Sequence, residues 1–125
     1  MTSSEPRSMH IGEVAARTGL SHRTMRHWEE AGLVIPSGRT DGGFRLYTEQ
    51  DVERVLLIRR MKPLGFTIDE MKRLLDAVDS LGSDRQDGAA RLAVQTFIAD
   101  AEERRERLVR QLGMADEFLR LLRSL

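Results

Sequence analysis

The 125-residue sequence predicts a mainly α protein: two short helices joined by a tight turn, a small two-stranded wing, two more helices and a long C-terminal coiled-coil helix. Three observations predict it. Apolar residues recur at helical spacing in short segments punctuated by glycine; the period changes once, between Leu33 and Tyr47, towards alternation; and a three-four apolar repeat runs without proline from Val94 to Leu122. With 32% charged and only 5% aromatic residues, the composition suits helices laced with ion pairs better than a large sheet core. The length suits one compact domain plus an extended element rather than two globular domains.

Residues 1–8 are polar and non-periodic and are expected to form a disordered tail. Ile11, Val14, Ala15 and Thr18 then share one helical face, and Gly19 supplies a left-handed stop. Leu20 turns the chain, Ser21 has the side-chain oxygen to cap a second helix reaching Ala31, and Gly32 ends it. Two short helices joined this way make a helix-turn-helix. Asp41-Gly42-Gly43 is a hairpin signal, and Phe44 and Leu46 alternate with Arg45 and Tyr47, which predicts the wing.

Thr48 opens the capping box T-E-Q-D of a third helix, with Val52, Val55 and Leu56 on one side and Arg59 and Arg60 on the other, until Pro63 and Gly65 end it. A second box, Thr67 to Glu70, starts a fourth helix whose Ile68, Met71, Leu74, Leu75 and Val78 form an apolar stripe. Gly82, Ser83, Asp84 and Gly88 predict a polar break. The expected organisation is thus a winged helix-turn-helix domain over 9–78, a linker over 79–92 and a dimerisation helix over 93–125. In that helix Val94, Ile98, Ala101, Leu108, Leu112, Ala115, Leu119 and Leu122 form one seam, broken only at Arg105. A solitary helix would leave this seam in water, so it is expected to pair with a second copy in a homodimer.

The formal net charge is zero, but residues 1–75 carry 12 Lys/Arg against 10 Asp/Glu (+2) and residues 76–125 carry 8 against 10 (−2). From Arg17 to His27 there are three arginines, two histidines and no acid, a local basic stripe of the kind phosphates attract. Cysteine is absent, which excludes disulfides and thiolate metal sites, and His10, His22 and His27 are not clustered; no metal and no cofactor are expected. The acids fall in capping and surface roles, no nucleophile stands beside a base, and no glycine-rich phosphate loop follows a strand, so an enzyme is not expected. The longest aliphatic run, Val55 to Ile58, is far too short to span a membrane, and the first residues lack a signal peptide's apolar core; the expected setting is the cytoplasm, with no membrane partner.

The stretch S-H-R-T-M-R-H-W-E-E-A-G-L sets Ser21, His22, Arg23 and Thr24 at the start of the second helix, where a recognition helix meets base edges and its N–H groups favour phosphate. Arg23, Arg26 and His27 share a face; Arg23 has the fork to read a guanine edge, while Arg26 and His27 suit phosphates. A solvated face with ordinary arginines explains the helix alone equally well. The wing adds Arg45 and Tyr47 on one strand face, with Arg39 on the partner strand, and so favours double-stranded DNA.

The order I-G-E-V-A-A-R-T-G-L-S-H-R-T-M-R-H-W-E-E-A-G-L, then R-T-D-G-G-F-R-L-Y, then R-R-M-K-P-L-G-F-T-I-D-E-M resembles the MerR family of bacterial transcription regulators across residues 10–75. The resemblance implies a homodimer joined by an antiparallel coiled coil, a helix of each protomer in the major groove with a wing beside it, and distortion of promoter DNA so that RNA polymerase, a further partner, engages both promoter elements. It makes Arg23 a base-edge and backbone contact, Arg26 a backbone contact, Arg45 and Tyr47 wing contacts, and Arg17 and Ser21 phosphate contacts. His27 and Trp28 are also expected among the DNA contacts, although the chain departs from the family there, where two tyrosines are common; Trp28 retains aromatic bulk and one donor, and His27 brings a titratable group. No effector module is expected within the chain. Two other readings stay open from sequence: an effectorless architectural or repressor-type DNA-binding protein, and a helical adaptor whose basic helix meets an acidic protein.

Overall fold

The computed structural model describes residues 8–125; the expected tail falls, except for Ser8, outside the described residues. α1 (Ile11–Thr18) stops where Gly19 turns to φ 73° and donates its N–H to the Ala15 carbonyl. Thr18 is fully buried without an orphaned hydroxyl, because Oγ1 donates to the Val14 carbonyl at 2.8 Å. α2 (His22–Glu30) begins at Ser21, whose Oγ accepts from the Thr24 N–H at 3.1 Å. α1 packs on α2 and on α3 (Glu49–Met61), around a core that includes Val14, Met25, Trp28, Leu33, Val55 and Ile58.

The wing is shorter than the alternation from Leu33 suggests. β1 (Gly38–Arg39) and β2 (Arg45–Leu46) pair antiparallel, Gly38 opposite Leu46 and Arg39 opposite Arg45. Leu33 and Val34 are buried core outside any strand. The turn is closed by Thr40, whose N–H donates to the Phe44 carbonyl and whose Oγ1 accepts from the Phe44 N–H, while Gly43 adopts φ 82°. Met9 and Tyr47 exchange backbone hydrogen bonds of 2.8 Å, which ties the start of the described chain to the end of β2.

Both capping boxes form. Thr48 accepts from the Asp51 N–H while Asp51 accepts from the Thr48 N–H, and Thr67 and Glu70 do the same. α3 gives way at Met61 to a 3₁₀ turn, Lys62–Leu64, which contains Pro63 and ends at Gly65 with φ 81°. α4 (Ile68–Ser83) buries Met71 and Leu75 as expected. Two members of its predicted stripe, Ile68 and Val78, are exposed, and Ala77 is buried instead, because periodicity gives the face of a helix but not which turns have an element to pack on.

The chain divides into two compact units between Leu75 and Asp76, inside α4. The linker is narrower than the expected 79–92: α4 continues through Gly82 to Ser83, and α5 (Gly88–Arg123) starts at Gly88, leaving 84–87 as the break. Two aspartates make so short a turn possible. Asp84 Oδ1 accepts from the Gln86 N–H at 2.9 Å, and Asp87 Oδ1 caps α5 by accepting from the Ala90 N–H at 3.1 Å. α5 has 36 residues, a rod of about 54 Å at 1.5 Å per residue. From Arg105 to its end every residue is exposed in the single chain, including the seam residues Leu108, Leu112, Ala115, Leu119 and Leu122. Ile98 is exposed too, whereas Val94 and Ala101 are half-buried. The apolar surface is wider than one seam, since Met114, Phe118, Leu121 and Leu125 lie beside it and are also exposed. No helix of the described residues is long and apolar enough to cross a membrane.

Candidate nucleic-acid interface

On α2 the apolar side, Met25 and Trp28, is buried, which leaves Ser21, His22, Arg23, Arg26 and His27 exposed and Thr24 half-buried on the other. Neither Arg23 nor Arg26 has a hydrogen bond or ion pair among the described residues. A guanidinium carries five N–H donors, and no group among the described residues is using those of Arg23 or Arg26. Ser21 is differently committed: its Oγ accepts from the Thr24 N–H and donates to Thr24 Oγ1 at 3.0 Å, so its hydroxyl hydrogen is engaged in capping.

The other cations are anchored. Arg17 forms a two-pronged pair with Glu49, at 2.6 and 2.7 Å, that links α1 to the first turn of α3. That hydrogen bond pushes the Arg17 guanidinium further above its ordinary pKa. On the wing, Arg45 Nε donates to Glu29 Oε1 at 2.6 Å, the Tyr47 hydroxyl donates to Glu29 Oε2 at 3.2 Å, and Arg39 Nη2 lies 3.8 Å from Glu29 Oε1. Arg39 Nη1 donates to the Gly43 carbonyl at 3.1 Å, within the wing turn. Hydrogen bonding to Glu29 raises the Arg45 pKa as well.

Two predicted contact residues are interior. Trp28 is 3% exposed and Tyr47 fully buried, so both are corrected from surface contacts to core residues. Lys62 Nζ sits 6.0 Å from the Trp28 ring centroid. Burial, with Glu29 adding, pushes the Tyr47 phenol up to about 12. The remaining predicted cations, Arg17, Arg23, Arg26, Arg39 and Arg45, keep exposed or half-exposed guanidinium groups.

Sequence reading missed the two carboxylates that hold these cations, Glu29 and Glu49. Glu29 carried a usable signal: it sits in the last turn of α2, where a negative charge opposes the helix dipole, so a tertiary partner is the simplest reason for it. Glu49, in the first turn of α3, is favourable by itself and gave no such hint. Among the described residues no three His, Asp or Glu side chains come together as a metal-holding group.

Residues 9–78 match the family described as MerR HTH family regulatory protein, and residues 52–114 match that described as MerR, DNA binding. The HTH-type transcriptional regulator YfmP of Bacillus subtilis (strain 168) is 36% identical over 117 residues, 93% of this chain and 84% of that protein. Nodulation protein NolA of Bradyrhizobium sp. (strain NC92) is 40% identical over 110 residues, 86% of this chain but 46% of that protein. The chain thus spans about half the length, or less, of several curated relatives that it matches. In fold it is similar to HiNmlR, a MerR family regulator lacking the sensor domain, bound to promoter DNA, with a TM-score of 0.74, 19% identity, and 94% of this chain and 92% of that one covered. A family match over more than half the sequence, on a helix-turn-helix with a short wing and a long terminal helix, places the chain in the MerR family of helix-turn-helix regulatory proteins.

Proposed function

We propose that the protein is a sequence-specific double-stranded-DNA-binding transcription regulator, acting in the cytoplasm as a homodimer on an inverted-repeat promoter site. The observation that carries this reading is the outer face of α2, where Arg23 and Arg26 are exposed, without a partner among the described residues, in the first turns of the helix and within the family match. Unpaired guanidinium groups at a helix start suit base edges and backbone together. Arg23 reads a base, Arg26 and His27 meet phosphate, and Arg17, Arg39 and Arg45, each held by a glutamate but still 37–54% exposed, meet the flanking backbone. Ser21 and His22 contribute through the N–H groups at the helix start, and Thr24, whose N–H is held by Ser21, through its hydroxyl. The bare leucines of α5 support pairing through Leu108, Leu112, Leu119 and Leu122, with Val94, Ile98, Ala101 and Ala115 completing the seam. Distortion of the promoter and engagement of RNA polymerase follow as expectations from the family.

The test is selection of bound duplexes from a random pool by the full chain. An inverted repeat is the expected product. Recovery of unrelated sequences with no repeat would contradict sequence-specific reading by a two-fold dimer.

A further inference from the structure

The wing's cations converge on a single acid of the recognition helix. Glu29 is in the last turn of α2 and its side chain is only 13% exposed. One of its oxygens takes Arg45 Nε and the other takes the Tyr47 hydroxyl, with Arg39 close behind. A nearly buried carboxylate facing two cations and a phenol is well compensated there, and it holds the donors in fixed directions. Because Arg45 is held through Nε, its two Nη groups, which have no hydrogen-bond partner among the described residues, remain as a fork on a side chain 37% exposed. The short ladder between β1 and β2 cannot fix that direction, being two residues long on each side.

We propose that Glu29 is a specificity-determining positioning residue: it fixes the wing against the recognition helix so that base reading by α2 and backbone contact by Arg45 occur in one register. This rests on the DNA-reading function proposed above and adds to it a residue that touches no DNA itself. Non-specific binding needs positive charge near phosphate but little geometry, whereas a specific complex needs both elements seated at once. Removing the Glu29 charge therefore leaves Arg45 its charge and takes away its aim. Glu29 separates the two modes of binding in a way that loss of Arg45 does not, since loss of Arg45 removes charge from both.

The experiment is a double-mutant cycle of Glu29→Gln and Arg45→Ala, with affinities measured on a selected site and on a scrambled duplex at fixed salt. Glu29→Gln is expected to lose about tenfold on the selected site and to stay within about threefold on the scrambled one. In the Arg45→Ala background the same change should cost less than about twofold further. Glu29→Asp, which keeps the charge but is one methylene too short to reach the wing, should show the same lost preference and provides the result if the glutamine variant fails to fold. Equal losses on both duplexes, or full additivity with Arg45→Ala, would overturn the positioning role, as would a preference kept within about twofold by a folded variant. If the parent chain itself prefers no duplex, the DNA-reading function falls first and takes this role with it.

Discussion

The helix-turn-helix unit and α5 place their large apolar residues in opposite settings. In the first, Met25, Trp28, Leu33 and Val55 are at most 3% exposed; on α5, Leu112, Phe118 and Leu121 are 60% exposed or more. The first unit is closed by its own core. α5 satisfies its backbone internally but not its side chains, and a helix in that condition is stable when another surface covers it. The proposed reading unit thus has a closed core within one chain, and the proposed dimerisation helix does not.

The largest expected effect lies on the self-sufficient side. Trp28→Ala should destabilise the helix-turn-helix unit by about 3–5 kcal/mol, a large share of a small domain's stability, and leave α5 with no comparable loss. Chemical denaturation followed by circular dichroism measures it; a cost below about 1 kcal/mol would mean that the core is not organised around this ring.

On the other side, Leu112→Lys puts a charge in the middle of the seam and touches no residue of the recognition unit. Light scattering should show monomers, and affinity for an inverted repeat should fall by about a hundredfold, because a monomer reads only one half-site. A folded monomer that binds the full site as tightly as the parent would break the contrast.

Tyr47 sharpens it from within the core. Its phenol is raised in the folded chain to about 12, against about 10 when unfolded. The neutral form is the one the fold prefers, so the associated stability is fully present below pH 10 and is lost as pH rises from about 10 to about 12. It is the protein's single tyrosine, so absorbance of the phenolate reports its titration directly. Tyr47→Phe should flatten the alkaline decline; an unchanged decline would assign it to other groups.

The smallest effects separate free from anchored arginines. Arg23→Ala should cost about 1–3 kcal/mol on the selected site and little on scrambled DNA, while Arg45→Ala should weaken both by similar factors. Competition titrations distinguish the two, and equal loss on both duplexes for Arg23→Ala would remove its base-reading role.

Most of the fold was legible because its boundaries are made by local chemistry. Gly19 and Gly65 stop helices in the left-handed region, Ser21 caps α2, and both Thr boxes close, all decided by residues within a few positions of one another. What sequence could not show depends on neighbours distant in the chain. Tyr47 and Trp28, expected as DNA contacts, are buried by the folded chain, and the pairs Arg17 with Glu49 and Arg45 with Glu29 span 32 and 16 positions. The interface face of α2 was legible for the same reason as the caps, since helical spacing alone puts Arg23 and Arg26 opposite Met25 and Trp28. The extra exposed apolar residues of α5, Met114, Phe118 and Leu121, lie off the three-four repeat, so its periodicity did not reveal them.

The central claim, that a complete reading unit acts only when α5 pairs two of them, is tested most directly by titrating the full chain against one selected inverted-repeat duplex and against its isolated half-site, with mass measured on the complexes. The account predicts two chains on the full site and an affinity there at least about a hundredfold above that for the half-site. One chain per full site, or equal affinity for the two duplexes, would contradict it.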